Sequence, residues 1–231
     1  MEDKAAARAT IQLKDFSTAN LGDFDVVIAL DPEWGMLSDE HLGAVRPWVK
    51  KGGGLIVVAG SQHSPALVAK GKEAERLEPV RDLLPVALHP TRGFQVLKDN
   101  KPRRLNFPKG VDVEFLRLRA DSTSARADWD EFFTGQRDPA KAQAADVREG
   151  FYSYYPAASV RKGATVLASL SDPAAKLEDG QEQPWLVSLG EEDGKVLWFA
   201  GGETWRLRLW SEEAYERLWL GTLRHMRAKS K

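Results

Sequence analysis

The chain has 231 residues, 42% of them hydrophobic, with 33 basic and 34 acidic side chains and a net charge of -1. That length and apolar content suit one large α/β domain or two small ones with a real core. The charge balance argues against nucleic acid as a partner. No apolar run approaches the ~20 residues of a membrane span, and Met1-Glu2-Asp3-Lys4 lacks the apolar core of a signal peptide. There are no cysteines, which excludes disulfides, thiolate metal sites and cysteine nucleophiles without placing the protein in a compartment.

Residues 1–22 carry little pattern beyond a short strand expected at 9–13 and a loop at Asn20-Leu21-Gly22. Asp25-Val26-Val27-Ile28-Ala29-Leu30 is an apolar, β-branched run closed by Pro32. It predicts a strand buried on both faces, as in a parallel sheet. After a loop over 31–37, Ser38 is a good helix cap, and Asp39 and Glu40 suit the positive helix end. Leu42, Val45 and Val49 recur at helical spacing, Pro47 should bend the helix, and Gly52-Gly53-Gly54 end it. Leu55-Ile56-Val57-Val58-Ala59 is the next strand, completing a strand–helix–strand unit with a right-handed crossover. The glycines stand before this strand. A phosphate-binding loop stands after a strand and opens a helix, so they read as a C-cap and tight turn. The strand leaves through Gly60-Ser61-Gln62-His63, and in open α/β sheets chemistry sits outside such carboxyl ends.

A helix is predicted over 72–84, with Leu77, Val80 and Leu84 as its stripe and Pro79 as an interruption. A strand starts near Val86. Residues 89–108 read as loop, with Lys98, Lys101, Arg103 and Arg104 as a small solvated basic cluster. Imperfect alternation predicts a strand over 111–118. Polar, turn-rich 121–149 reads as a surface excursion with a short helix at 140–147. Then come the aromatic run Phe151-Tyr152-Ser153-Tyr154-Tyr155-Pro156, a strand at 163–168, and a hairpin of 185–189 and 195–200 running into Gly201-Gly202-Glu203-Thr204-Trp205-Arg206. A final helix is capped by Ser211 and opened by Glu212 and Glu213. Tyr215, Leu218, Trp219, Thr222 and Met226 share one face. Five of the eight tryptophans fall at 185–219; packing is the simpler reading than an aromatic ligand platform. There are no internal repeats.

In this order the segments resemble the glutamine-amidotransferase family with a class I glutamine-amidotransferase-like (flavodoxin-like) domain. That domain is often found at the end of larger, membrane-anchored proteins beside a von Willebrand factor A domain. The matching pieces are residues 25–30, Leu37-Ser38-Asp39-Glu40-His41-Leu42 through Gly52-Gly53-Gly54-Leu55-Ile56-Val57, Leu83-Leu84-Pro85-Val86, Tyr154-Tyr155-Pro156 with 163–168, Gln183-Pro184-Trp185-Leu186-Val187, 194–197 through Glu203-Thr204-Trp205-Arg206, and Tyr215-Glu216-Arg217-Leu218-Trp219. The resemblance implies a three-layer α/β fold: a mostly parallel central sheet, helices on both faces and an added antiparallel hairpin. It implies one domain over 1–231, with about 119–150 as an insertion, excised from a longer protein; the weak first strand suits that origin. It places the domain outside the cytoplasm if the family context holds and in the cytoplasm otherwise. Its partners are then other domains of the same longer chain or other proteins.

Active members of this class look like a cysteine at the turn after a central strand, with a histidine and a glutamate after a late strand. Here those turns are Gly60-Ser61-Gln62-His63 and Gly201-Gly202-Glu203. The cysteine is absent, the histidine position falls on Gly201 or Gly202, and only Glu203 matches. The resemblance thus supplies a fold and argues against its named activity.

The catalytic candidates are Ser61, His63 and Glu203. Asp31, Glu33, Trp34, Gly60, Ser61, Gln62, Gly201, Gly202, Glu203 and Trp205 are expected to line the cleft. A serine nucleophile needs an adjacent base and an oxyanion hole. Gly60-Ser61-Gln62-His63-Ser64 does not match the G-x-S-x-G elbow, and His63 stands only two positions away. The bland reading has Ser61 and Gln62 capping backbone donors of the next segment. Glu203 is either a relic acid or a partner of Arg206 or Arg208 and of turn N–H groups. Asp31 and Glu33 offer too few ligands for a metal, His41, His89 and His225 lack ligand spacing, and no metal or cofactor is expected. The reading that results is a non-catalytic binding or structural module. The alternatives are a hydrolase or acyl-transfer enzyme using Ser61 with His63 or Glu203, and a small-molecule or carbohydrate module using Trp34, Tyr154 and Trp205.

Overall fold

A computed structural model describes residues 21–99, 101–134 and 150–227. The strand expected at 9–13 and the helix expected at 140–147 lie outside the described residues. Strand β1 (Val26–Leu30), helix α1 (Asp39–Lys50) and strand β2 (Gly54–Val58) form where the apolar runs predict. The Ser38 hydroxyl accepts from the His41 N–H at 3.2 Å, capping α1, and Leu42, Val45, Trp48 and Val49 bury its stripe. Gly52 adopts φ 109° just past the helix, a left-handed stop that favours glycine. Gly53 follows with no Cβ because the Trp48 ring occupies that space, 2.4 Å from where a Cβ would stand.

Helices α2 (Lys72–Arg76) and α3 (Glu78–Arg81) divide the expected single helix at Leu77, just before Pro79. Strands β3 (Val86–Leu88), β4 (Gln95–Val96) and β5 (Leu105–Asn106) follow. Then come helix α4 (Ala125–Thr134) and strands β6 (Ser153–Tyr154), β7 (Ala157–Val160), β8 (Thr165–Leu170), β9 (Gln183–Glu191) and β10 (Gly194–Phe199). Helices α5 (Leu207–Trp210) and α6 (Glu212–Met226) end the described chain, with Ser211 capping α6 through the Ala214 N–H.

Among the described residues, six strands make one sheet in the order β1-β2-β10-β9-β8-β5. β1, β2 and β10 run parallel, while the β10–β9, β9–β8 and β8–β5 pairs are antiparallel. The fold is therefore α/β with a mixed sheet. The hairpin is not an addition to it: its second arm, β10, pairs on both edges and buries Val196, Leu197, Trp198 and Phe199. β1 departs from the expected burial because it is the outermost strand among the described residues, and Ile28 and Leu30 stay 38% and 65% exposed.

The register shows which helix covers which face. A Cβ on Gly54 would meet Met226 of α6, and its neighbour Lys195 donates to the His225 carbonyl. One residue along, a Cβ on Gly194 would lie 1.9 Å from the Val49 carbonyl of α1. Successive residues point to opposite faces, so α1 and α6 lie on opposite sides of β2 and β10.

β4 and β5 fall within the 89–108 segment read as loop, and two further segments differ from the sequence reading. Residues 111–118 contain a short 3₁₀ turn at Glu114–Leu116 in place of a strand. The part of the expected excursion that is described is core, since α4 buries Trp129, Phe132 and Phe133.

Candidate functional site

The parallel trio brings three chain exits to one end of the sheet. Leu30, Val58 and Phe199 stand side by side in register, so Asp31, the turn after Val58 and the turn after Phe199 emerge together. The Asp31 N–H donates to the Val58 carbonyl, and the Ala59 N–H to the Phe199 carbonyl, both at 2.9 Å.

Asp31 takes φ 40°, in the left-handed region that Asp tolerates better than most residues. This sharp exit turns its carboxylate across the neighbouring turn. Oδ2 accepts from the Gln62 N–H at 2.9 Å, and Oδ1 from the Ser64 N–H and hydroxyl at 2.8 and 2.7 Å. The His63 N–H lies 3.3 Å from both oxygens. The buried Ser64 hydroxyl in turn accepts from the Gly60 N–H at 2.9 Å. Gly60 is needed for this approach, because a Cβ there would stand 2.4 Å from the Asp31 carboxyl carbon. Burial pushes the Asp31 carboxyl up, but the Ser64 hydroxyl and the three N–H donors outweigh it and hold it below the usual 3.8.

Ser61 and Gln62 are exposed on this turn. The capping expected of them is done by Asp31 and Ser64 instead. Among the described residues, the Ser61 hydroxyl has no hydrogen-bond partner, and His63 offers it no base: its ring caps nothing and bonds to nothing. Tyr155, which sequence reasoning did not place here, reaches the same end through its N–H bond to the Ala200 carbonyl. Burial, then the Asp31 charge, raises its hydroxyl above its usual 10.0.

On the late turn, Glu203 is buried. Its Oε2 accepts from the Tyr152 and Ser153 N–H groups at 2.5 and 2.8 Å, and its Oε1 from Arg206 Nε and Nη2 at 3.0 and 2.7 Å. Arg208 pairs instead with Glu212. The Arg206 guanidinium lies 4.7 Å from both the Tyr152 and Trp205 ring centres, and Trp205 is 46% exposed. A Cβ on Gly201 would press on the Ser153 carbonyl at 3.0 Å, so that glycine serves backbone packing, while a Cβ on Gly202 would make only ordinary contact with the Val58 side chain at 3.7 Å. Glu33 is exposed. Trp34 is buried in a groove beside β1, and Tyr154 is buried with its hydroxyl on Asp172. Among the described residues no group of three or more His, Asp or Glu side chains is placed to hold a metal ion.

No protein-family model and no curated protein sequence matches the chain significantly. Solved structures do. Cytoplasmic Protein STM3548 from Salmonella typhimurium aligns over 90% of this chain and 74% of its own, at TM-score 0.58 and 18% identity. Cytoplasmic Protein STM1381 from Salmonella typhimurium LT2 aligns over 89% and 73%, at TM-score 0.58 and 14% identity. At these identities the likeness is one of fold.

The Asp31 anchor makes a direct prediction. Asp31→Asn keeps the left-handed backbone and one acceptor but sets an amide against the turn's donors. It should cost about 2 kcal/mol at neutral pH, typical of hydrogen bonds to a charged group. The folded carboxyl is depressed, so its stabilisation is present above the ordinary value of 3.8 and is lost as pH falls through the folded value. Urea unfolding of both proteins should show the gap closing in acid. A variant as stable as wild type at neutral pH would remove Asp31 as the anchor.

Proposed function

We propose that this chain is a non-catalytic module of glutamine-amidotransferase-like architecture, serving as a binding or structural domain beside other domains or proteins. The three-layer reading of the fold belongs to the same proposal; α1 and α6 on opposite sheet faces support it. The observation that carries the functional reading is the Asp31 carboxylate, which occupies the backbone donors of Gln62, His63 and Ser64. In such a fold, the turn after the central strand is where a nucleophile would stand. Donors already facing a fixed carboxylate do not stabilise a developing oxyanion, and the negative charge beside them opposes one. Glu203 is likewise committed to Arg206 and two N–H groups, and the chain has no cysteine.

The module's contact surface is best sought around the late turn, where Trp205 stands exposed beside Arg206. A carbohydrate platform is less well supported, since Trp34 and Tyr154 are buried and Trp205 stands alone of the three aromatics first considered.

Intact-mass analysis after treatment with a serine-directed fluorophosphonate tests the reading. The expected result is no adduct, and no glutamine hydrolysis above that of Ser61→Ala. An adduct mapping to Ser61 and lost in Ser61→Ala would overturn it in favour of a hydrolase.

A further inference from the structure

An apolar groove of about 480 Å³ lies between β1 and α1, walled by Phe24, Val27, Ala29, Val45 and Trp48. Val27 stands opposite Leu55, on the sheet face that α1 covers. Pockets for small organic molecules span roughly 300–1,000 Å³, and they pair apolar walls with a few convergent polar groups. Here the polar groups gather at one mouth, where β1 ends. Asp31 and Glu33 stand there, and no Lys or Arg lines the groove. Among the described residues neither acid has an ion-pair partner. Asp31 already accepts from three N–H groups and the Ser64 hydroxyl, so it offers charge rather than a free lone pair. Glu33 is exposed and caps nothing, so its oxygens are free to accept.

Trp34 supplies the third group. It is 6% exposed and lines the groove, and its indole N–H has no hydrogen-bond partner among the described residues. That N–H is not sealed inside the protein, so a ligand in the groove can reach it. A largely buried donor without an acceptor is costly, and a ligand oxygen would remove the cost. We propose that this groove binds an organic cation, with an apolar body against Val27, Ala29 and Trp48, an ammonium head at Asp31 and Glu33, and a neighbouring carbonyl oxygen accepting from the Trp34 N–H. A neutral hydrophobe would leave the two acids and the indole N–H unused. An anion would meet two carboxylates and no cation. The inference rests on the binding reading of the module and gives that reading a ligand class. No lining residue belongs to the late turn, so failure here leaves the non-catalytic reading to the fluorophosphonate test.

Calorimetric titration of the full chain with two matched compounds tests this. L-Phenylalanine benzylamide carries an apolar body, an α-ammonium and a neighbouring carbonyl. N-Benzyl-3-phenylpropanamide is the same molecule with the ammonium replaced by hydrogen. At about pH 6, where the α-ammonium is charged, the amine should bind at least about tenfold more tightly. Glu33→Gln should narrow that difference about threefold and leave the neutral compound's affinity unchanged. The Trp34 indole resonance should shift with both compounds, and Trp34→Phe should weaken both by about fivefold. No binding of the amine, equal affinity for the two compounds, a difference untouched by Glu33→Gln, or binding that leaves the Trp34 resonance unmoved would overturn the proposal. If Trp34→Phe fails to fold, the two wild-type titrations and the indole shift still decide.

Discussion

Glu203→Ala should lower the free energy of unfolding by about 3–5 kcal/mol, the range for breaking a buried ion pair from one side. The substitution leaves two N–H groups, of Tyr152 and Ser153, without their acceptor, and a largely buried guanidinium without its bidentate partner. Removing Arg206 as well should cost less than the sum of the two single substitutions, because the two side chains share one bidentate interaction. The double variant should still be less stable than wild type, since Arg206 also stacks between Tyr152 and Trp205 and the Tyr152 and Ser153 N–H groups lose the Glu203 carboxylate. The sign of the effect discriminates between the readings. Residues kept for catalysis are commonly held at a cost in stability, so their removal is often neutral or stabilising. A Glu203→Ala protein as stable as wild type in urea titration would identify the acid as functional and weaken the non-catalytic reading.

The strand–helix–strand unit was legible because its signals are local. Ser38, the acids behind it, the stripe through Leu42, Val45 and Val49, and the glycine stop all act within one or two turns of helix. Position in the sheet was not local information. Val26-Val27-Ile28-Ala29-Leu30 has the composition of a central strand, and only the absence of a described neighbour leaves Ile28 and Leu30 exposed. Strand direction was equally hidden. The hairpin was read correctly, but that β10 would pair parallel to β2, making a mixed sheet, depends on a partner about 140 residues away.

The site divides in the same way. The turn at Ser61 followed from the strand before it, and the Arg206 pairing of Glu203 was one of the alternatives the sequence left open, beside Arg208 and a relic acid. The anchoring role of Asp31 did not follow, because it depends on one left-handed residue aiming a carboxylate across to a turn 31 residues on. Ser64 was passed over for Ser61 because both are serines in one turn, and only the fold shows which is buried.

The helix at 125–134 was the clearest miss with a signal available. Ala125, Trp129, Phe132 and Phe133 stand at helical spacing, but the polar residues around them obscured the stripe. Trp129→Ala should therefore cost about 3–5 kcal/mol, the range for removing a buried large aromatic. The indole is fully buried among Phe132, Phe133, Phe151 and Trp185, with ring centres 5.8–6.1 Å away, and its N–H donates to the Leu116 carbonyl at 2.9 Å. Alanine leaves a large cavity at the meeting point of α4, β9 and the segment before β6, and an unpaired carbonyl beside it. Trp129→Phe should cost less, because it refills most of the volume and loses mainly the hydrogen bond. If α4 belongs to the main core, near-UV circular dichroism and fluorescence should report one coincident urea transition, shifted as a whole in the alanine variant. A loss under about 1 kcal/mol, or a separate early transition confined to α4, would return this segment to the surface excursion suggested by its polar composition.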